Sequence, residues 1–297
     1  MKNFKFFFVA FMLLAASCSN DGSLDSSVNH SDEQGLAPVT VRVNEFSVEQ
    51  GAFPTTRATA VASYSGVKFL TLAFYASNGT EVFKVTHEKD NMAEGQTFGE
   101  FSTTLPMGSY TMVVVGNGSN NAITLNSATS ATYGENKPWD TFAATQTVSV
   151  TDNTAKELTA TLDRVVSAVA VQSTDNRTAD VANLRVTTSA GGNGFNPTTG
   201  LATSNTGVTA VITPSSAVGS TTYVGAYLFL ATDEQTVDVT VETLDADNNV
   251  LFSKTVENVP LKRNRITRLT GALYGAGATA GSFQVNTDWL SEHDMDL

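Results

Sequence analysis

Side chains able to do covalent, acid–base or metal chemistry are sparse in this sequence. The 297 residues hold one cysteine, Cys18, and three histidines. A single cysteine excludes an internal disulfide framework and a cysteine-based metal site. His30 and His293 lie in polar stretches near the two ends, and His87 falls in VTHEKDN, which reads as a polar turn. None stands beside another histidine or the cysteine, so neither a zinc site nor a Cys/His pair is expected. Only His87 is placed to serve a Ser-His-Asp triad, and no G-x-S-x-G elbow frames a serine. GGNGF at 191–195 lacks the GK[ST] continuation of a phosphate-binding loop and reads as an ordinary loop. DADNN at 245–249 departs from the EF-hand pattern and reads as a β-turn. The expectation is a protein that is not an enzyme and carries no cofactor or metal.

The elements must then supply binding surfaces and not a reaction centre. The formal net charge is −12 and the isoelectric point about 4.6, which argues against nucleic acid as a partner. Charged residues make up 15% of the chain and hydrophobic ones 41%. The remainder is small and polar, rich in Thr and Gly, and the periodic Ala/Leu/Glu/Lys runs of long helices are missing. An all-β fold follows.

Residues 1–18, MKNFKFFFVAFMLLAASC, open with Lys2 and Lys5 and continue into an apolar stretch, Phe6 to Ala16. This is the pattern of a secretory signal peptide, residues 1–17, too short to span a membrane. Ala15, Ala16 and Ser17 stand directly before Cys18, which resembles a bacterial lipobox. The resemblance implies that the Cys18 thiol is acylated by fatty chains such as palmitate and becomes the mature N-terminus. Two or three chains hold a protein to a membrane far more firmly than one. Residues 18–36 are mostly Ser, Asp, Asn and Gly and read as a flexible tether.

From residue 37 the period is that of strands. Val39, Val41 and Val43 alternate with polar residues, and the apolar face then shifts to Phe46 and Val48, which predicts a bulge near Asn44. Gly51 and Pro54 should end that strand and leave Arg57 in an exposed loop. Strands are expected at Val67 to Tyr75, Glu81 to Thr86, Phe98 to Leu105 and Tyr110 to Val115. Residues 116–146 read as mostly loop with a short helix, and Trp139 as a side chain that plugs that loop onto the core. Thr147 to Val150 and Lys156 to Leu162 read as a closing hairpin. A second set follows at Val165 to Gln172, Leu184 to Thr188, Val208 to Ile212, Tyr223 to Ala231, Val237 to Leu244, Val250 to Val256 and Arg265 to Leu273. The boundary is placed near Asp163, giving β-sandwich domains at 37–162 and 163–297.

Several segments, in this order, resemble the fimbrillins, lipoprotein pilus subunits of Bacteroidales-type bacteria. They are the lipobox at Cys18, TTRATA around Arg57, LPMGSYTMVVVGN at 105–117, LDRVVSAVAV at 162–171 and VPLKRNRITRLTG at 259–271. The resemblance implies two transthyretin-like β-sandwich domains in tandem. It implies export to the outer membrane as a lipid-anchored precursor and a place in a cell-surface fimbrium. An Arg-specific protease would cut Arg57–Ala58, removing residues 37–57 with their strand. Another pilus subunit would then donate a strand to the vacated groove. A removed edge strand leaves unpaired N–H and C=O groups beside an apolar trough, which is the physical condition for strand addition.

Near the C-terminus, GALYGAGATAGS at 271–282 has the composition of a linker. Beyond it Phe283, Val285, Thr287 and Trp289 alternate with polar residues as a strand with one apolar face. Phe283, Val285 and Trp289 are candidate donor-strand residues; alternatively this strand completes its own sandwich. The alternative function is a tethered surface lipoprotein that binds glycan or a host protein, or a fimbrial anchor that does not polymerise. Cys18→Ala should leave unprocessed precursor without fatty-acid label in metabolic labelling.

Overall fold

The computed structural model describes residues 35–50, 55–60, 64, 66–274 and 283–287, with backbone only for 48–50 and 55–60. The described residues form strands and turns and no helix. Ten strands lie before residue 165: β1 (Ala37–Gln50), β2 (Thr55–Ala60), β3 (Phe69–Ala76), β4 (Glu81–Glu88), β5 (Glu100–Leu105), β6 (Gly108–Asn117), β7 (Thr124–Ser127), β8 (Ser130–Thr132), β9 (Thr141–Val150) and β10 (Lys156–Arg164). Ten follow: β11 (Ser167–Ser173), β12 (Asn183–Thr188), β13 (Gly194–Asn196), β14 (Leu201–Ala202), β15 (Thr209–Ile212), β16 (Tyr223–Leu228), β17 (Glu234–Leu244), β18 (Val250–Lys262), β19 (Ile266–Gly271) and β20 (Gln284–Asn286).

The first sandwich is one sheet folded on itself. One layer runs β9-β6-β3-β4, antiparallel throughout. The other holds β10, β1 and β5, with β2 beside the far half of β1. The layers join only where Asp163 and Arg164 pair with Ala143 and Phe142. The expected hairpin of β9 and β10 is therefore splayed. Near the turn its arms part into opposite layers, because Val148 and Val150 on one and Ala160 and Leu162 on the other all enter the same core. Leu70, Leu72, Phe74, Met112 and Val114 fill that core from β3 and β6.

The second sandwich faces β16-β11-β19-β20 against β15-β12-β17-β18. Its core is built from alternating side chains such as Val169, Val171, Val224, Val239, Val241 and Leu269. The two sandwiches share a plan. In each, the first long strand pairs in parallel with a late strand and antiparallel on its other side: β1 with β10 and β5, β11 with β19 and β16.

A third apolar cluster joins them. β3 and β6 are buried on both faces, which accounts for their nearly unbroken apolar runs. Ala73, Tyr75, Val113 and Val115 on the outward face meet Ala168, Ala170, Tyr227 and Phe229 from the other half. Phe195 stacks on Phe229 at the centre, with ring centroids 4.6 Å apart. A small sheet, β14-β13-β8-β7, carries strands from both halves of the chain. Residues 116–146 are thus not a loop with a helix. Short strands form there because Leu125, Ala131 and Tyr133 have a core to cover. Gly194 and Phe195, read as loop, are strand for the same reason. Trp139 packs against this cluster, as expected, under the Lys137 ammonium at 4.6 Å from the ring.

The described residues from Gly35 onward gather into one compact unit. Phe195→Ala should cost about 3–5 kcal/mol. In chemical denaturation it should split one cooperative transition into two, since the loss falls on the shared cluster.

Candidate functional site

The strand with the most unusual setting is β1. It is held mid-layer by partners far along the chain: β10 on one side from Val39 to Ser47, β5 on the other from Ala37 to Arg42. Its inward side chains, Ala37, Val39, Val41, Val43 and Phe46, are each at most 6% exposed. Burying a side chain of Val or Phe size contributes roughly 1.5–3 kcal/mol, so β1 supplies a large share of the first core. Without it β5 and β10 would flank an apolar trough floored by Leu70, Leu72, Met112 and Val114.

The expected bulge is present. Val43 pairs with Ala160 and Glu45 with Thr161, which leaves Asn44 as the extra residue. It moves the inward face from odd positions to Phe46. On the outer face Arg42 makes exposed ion pairs with Glu100, at 3.0 Å, and with Glu157. Such pairs contribute little.

The trough ends in an aromatic socket. Phe46 lies 4.9 Å from Phe142 and 5.2 Å from Tyr64, which are themselves 5.3 Å apart. The Arg164 guanidinium covers the Phe142 ring at 5.0 Å. Its Nε and Nη2 donate to the two carboxylate oxygens of Asp140 at 2.8 and 2.9 Å. Nη2 also donates to the Tyr64 hydroxyl at 2.8 Å, and that hydroxyl donates to Asp140 at 2.9 Å. A buried pair this fully bonded is costly to break from one side. It fixes Tyr64 and Phe142 where the layers join. Sequence reading missed this socket. Its signal was there in charges set beside apolar residues, Arg164 with Asp163 in LDRVV and Asp140 in WDTF.

Arg57 is not in a loop. β2 pairs antiparallel with β1 beyond the bulge, with Arg57 opposite Val48 and Ala58 opposite Ser47. β5 covers β1 only as far as Arg42, so the rest of that edge is open to the Thr-rich segment that follows. β2 ends the sheet order, with β1 as its neighbour among the described residues. Cys18 and Trp289 lie outside the described residues.

The C-terminal strand β20 pairs with the edge of its own second sandwich, Val285 opposite Leu269. The hold is slight. Val285 is 42% exposed, and Gln284, Asn286 and Thr287 are exposed too. Among the described residues of this segment Phe283 packs on the core, with its ring against Gly271. A Cβ at Gly271 would come within 2.9 Å of that ring, so glycine is what permits the contact.

Little else offers chemistry. Among the described residues no three of His, Cys, Asp and Glu gather as metal ligands, and no helix is long and apolar enough to cross a membrane. The Asp245 carboxylate is taken up by the backbone N–H groups of Asp247 and Asn249 and by the Asn249 side chain. His87 is not in a turn but near the end of β4, 8% exposed and stacked on Phe101 at 4.2 Å. The strand runs on past Thr86 because its partner β3 extends to Phe69, opposite Glu88.

A model of a family of unknown function, DUF6562, matches residues 37–296. The chain belongs to that family. Its matched region takes in β1, the trough, the socket and β20, so all of them are parts of one family unit. No curated protein matches. Among solved structures, a candidate adhesin from Bacteroides ovatus superposes with a TM-score of 0.51 at 12% identity, over 86% of this chain and 96% of that one. A second from the same species gives 0.48 at 14%, over 87% and 97%. The fimbrial anchor protein Mfa2 from Porphyromonas gingivalis gives 0.48 at 13%, over 88% and 100%. At these identities the likeness to the first is one of fold.

Burial lowers the His87 pKa below its ordinary 6.5. The folded state then binds fewer protons than the unfolded one in that window, so stability rises with pH there. The contribution should be whole above about pH 6.5 and decline as pH falls below it. The denaturation midpoint should drop between pH 7.5 and 5.5, and His87→Phe should flatten that slope.

Proposed function

We propose that this chain is a structural subunit of a cell-surface fimbria. It is exported as a lipoprotein precursor anchored to the outer membrane through Cys18. Cleavage at Arg57–Ala58 frees β1, and a strand from another subunit takes its place. The reading assigns the chain no enzymatic activity. Its partners are other fimbrial subunits and an Arg-specific protease.

The observation that carries the reading is the setting of β1. An N-terminal strand completes a core between two neighbours that are otherwise unpaired along those edges. It is joined to the rest of the chain through β2 alone, the strand that bears Arg57. One cut there separates a whole core strand from the domain it completes. The fold shared with a candidate adhesin of Bacteroides ovatus agrees with a surface role.

One observation favours the alternative, a tethered binder or an uncleaved anchor. Arg57 lies in a ladder and not in a mobile loop, and proteases need an extended backbone free to enter their cleft. Among the described residues β2 pairs with β1 and with no other strand, so that is the ladder that must be given up. Arg57→Ala separates the readings. A subunit should then keep its full N-terminus and fail to form SDS-resistant ladders. Its stability should stay within about 0.5 kcal/mol of the parent. A wild-type surface form that begins at Cys18 instead of Ala58 would favour the tethered reading.

A further inference from the structure

The first sandwich has a seam. Its sheet folds round so that β9 and β10 join the layers on one side, and β4 and β5 are left as edges on the other. β4 pairs with β3, and β5 with β1. Among the described residues no backbone hydrogen bond runs from β4 to β5. Side chains must therefore close this side of the core. Phe83 and Val85 of β4 are partly buried and line a cavity of about 330 Å3 together with Phe101 and Ser102 of β5. His87 meets Phe101 across the seam, with ring centroids 4.2 Å apart and planes 25° apart. β5 and the turns of residues 89–99 before it have the build of a flap. One ladder, to β1, and the inward side chains of Phe101 and Leu105 hold it to the body.

His87 suits this place as a neutral ring. It is 8% exposed, and its Nδ1 is shielded from water without a hydrogen-bond partner. An imidazolium carries N–H on both nitrogens, so Nδ1–H would have nothing to accept it and the charge would lie out of reach of water. Ring N–H bonds lie in the imidazole plane, which runs close to parallel with Phe101, so they do not point at its face. The charges around His87 are engaged elsewhere or exposed. Glu100 on β5 is paired with Arg42 at 3.0 Å. On β4, Glu81 and Lys84 pair with each other, and Glu88 accepts from Asn91 at 3.4 Å. Lys89 donates to the Tyr64 carbonyl at 2.9 Å, and Asp90 and Glu94 are exposed. β3 carries no charged residue and sets Leu70 opposite His87. Burial accordingly makes the closed state resist the proton, whereas a ring in water takes it up at about pH 6.5. Closure is at full strength above about pH 6.5 and weakens as pH falls below it.

We propose that residues 89–105 are a flap over the seam and that His87 is its acid-sensitive clasp: when the imidazole takes up a proton the stack on Phe101 parts, β5 peels from β1, and the second sandwich stays closed. Residues 165–274 contain no histidine, so that half supplies a reference within the same molecule. Peeling bares the edge of β1 from Ala37 to Arg42. On the strand-exchange reading above, mild acid then eases the replacement of β1. The flap itself stands without that reading, whether or not Arg57–Ala58 is cut.

Hydrogen exchange of the full, uncut chain tests the flap, read by mass spectrometry at pH 7.5 and 5.5 as protection relative to the intrinsic rate of each amide. Protection over residues 100–105 should fall by about threefold or more at the lower pH, with a ceiling of about tenfold set by one proton and an open-state pKa of about 6.5. Protection over 167–173 and 237–244 should hold. His87→Phe keeps a flat ring against Phe101 and removes the titrating nitrogens, so it should abolish the fall. His87→Gln cannot titrate either and should abolish it too; it decides the matter if His87→Phe does not fold. Unchanged protection over 100–105 overturns the proposal. So does an equal fall in both sandwiches, which would mean that acid opens the whole unit, and so does a fall that persists in a folded variant.

Discussion

The first sandwich depends on one long-range constraint: its core closes only if the N-terminal strand inserts between β5 and β10. The inward side chains of β1 from Ala37 to Phe46 are buried, and the strands that pair with them lie far along the chain. β5 shows how far the dependence reaches. Its ladder partner among the described residues is β1, so β5 is ordered by a strand some sixty positions upstream. Phe101 and Leu105 keep their place in the core through that ladder, and His87 in turn stacks on Phe101. Such an arrangement has high contact order, and the entropy of closing the intervening loop must be met before the contact stabilises it.

Period-2 alternation made the strands legible, and β1 with its bulge most of all, since Val39, Val41 and Val43 give way to Phe46 only if one residue is added. What local pattern could not convey was pairing. The turn at 151–155 is a good hairpin turn, with the Asp152 carboxylate accepting the Thr154 N–H at 3.0 Å, and hairpin geometry was the natural reading. The arms part because both need the same core. The strands β7, β8, β13 and β14 escaped notice for a related reason. They are two to four residues long, below the length at which alternation is visible, and tertiary contact with the shared cluster decides them. Arg57 misled in the opposite direction: Gly51 and Pro54 point to a loop, yet residues 55–60 lie in a ladder along the edge of β1 that β5 leaves open.

The candidate site was half legible. Its apolar slots could be read from the valines, whereas the socket could not, because Tyr64, Phe142, Asp140 and Arg164 come from separate segments and meet only where the layers join. Their grouping has a physical logic. Arg164 stands at the point where one sheet passes from one layer to the other, and its side chain is buried there by the fold of the sheet itself. A buried guanidinium must be paired, and Asp140 and the Tyr64 hydroxyl satisfy it. Phe142 and Phe46 then pack against the apolar flank of that cluster. The polar pair thus sets the position of the aromatic rings, and the rings set what can occupy the end of the trough.

The same geometry bears on how a strand could ever be replaced. The inward side chains of β1 make its full departure before any replacement arrives a costly step, for it would bare the trough to water and unpair β5 as well. A stepwise exchange avoids that state, one slot filling as the next empties, and it must begin where the resident strand is least well held. The bulge is such a place: Asn44 has no partner across the ladder, and β5 ends its cover at Arg42 just before it. Beyond the bulge β2 is, among the described residues, the strand that pairs with the outer edge, and the continuity of β1 with β2 is what a cut at Arg57 would end. The bulge, the end of β5 and the strand that bears the proposed cleavage site therefore converge on one end of one strand, which is the end that carries the aromatic socket.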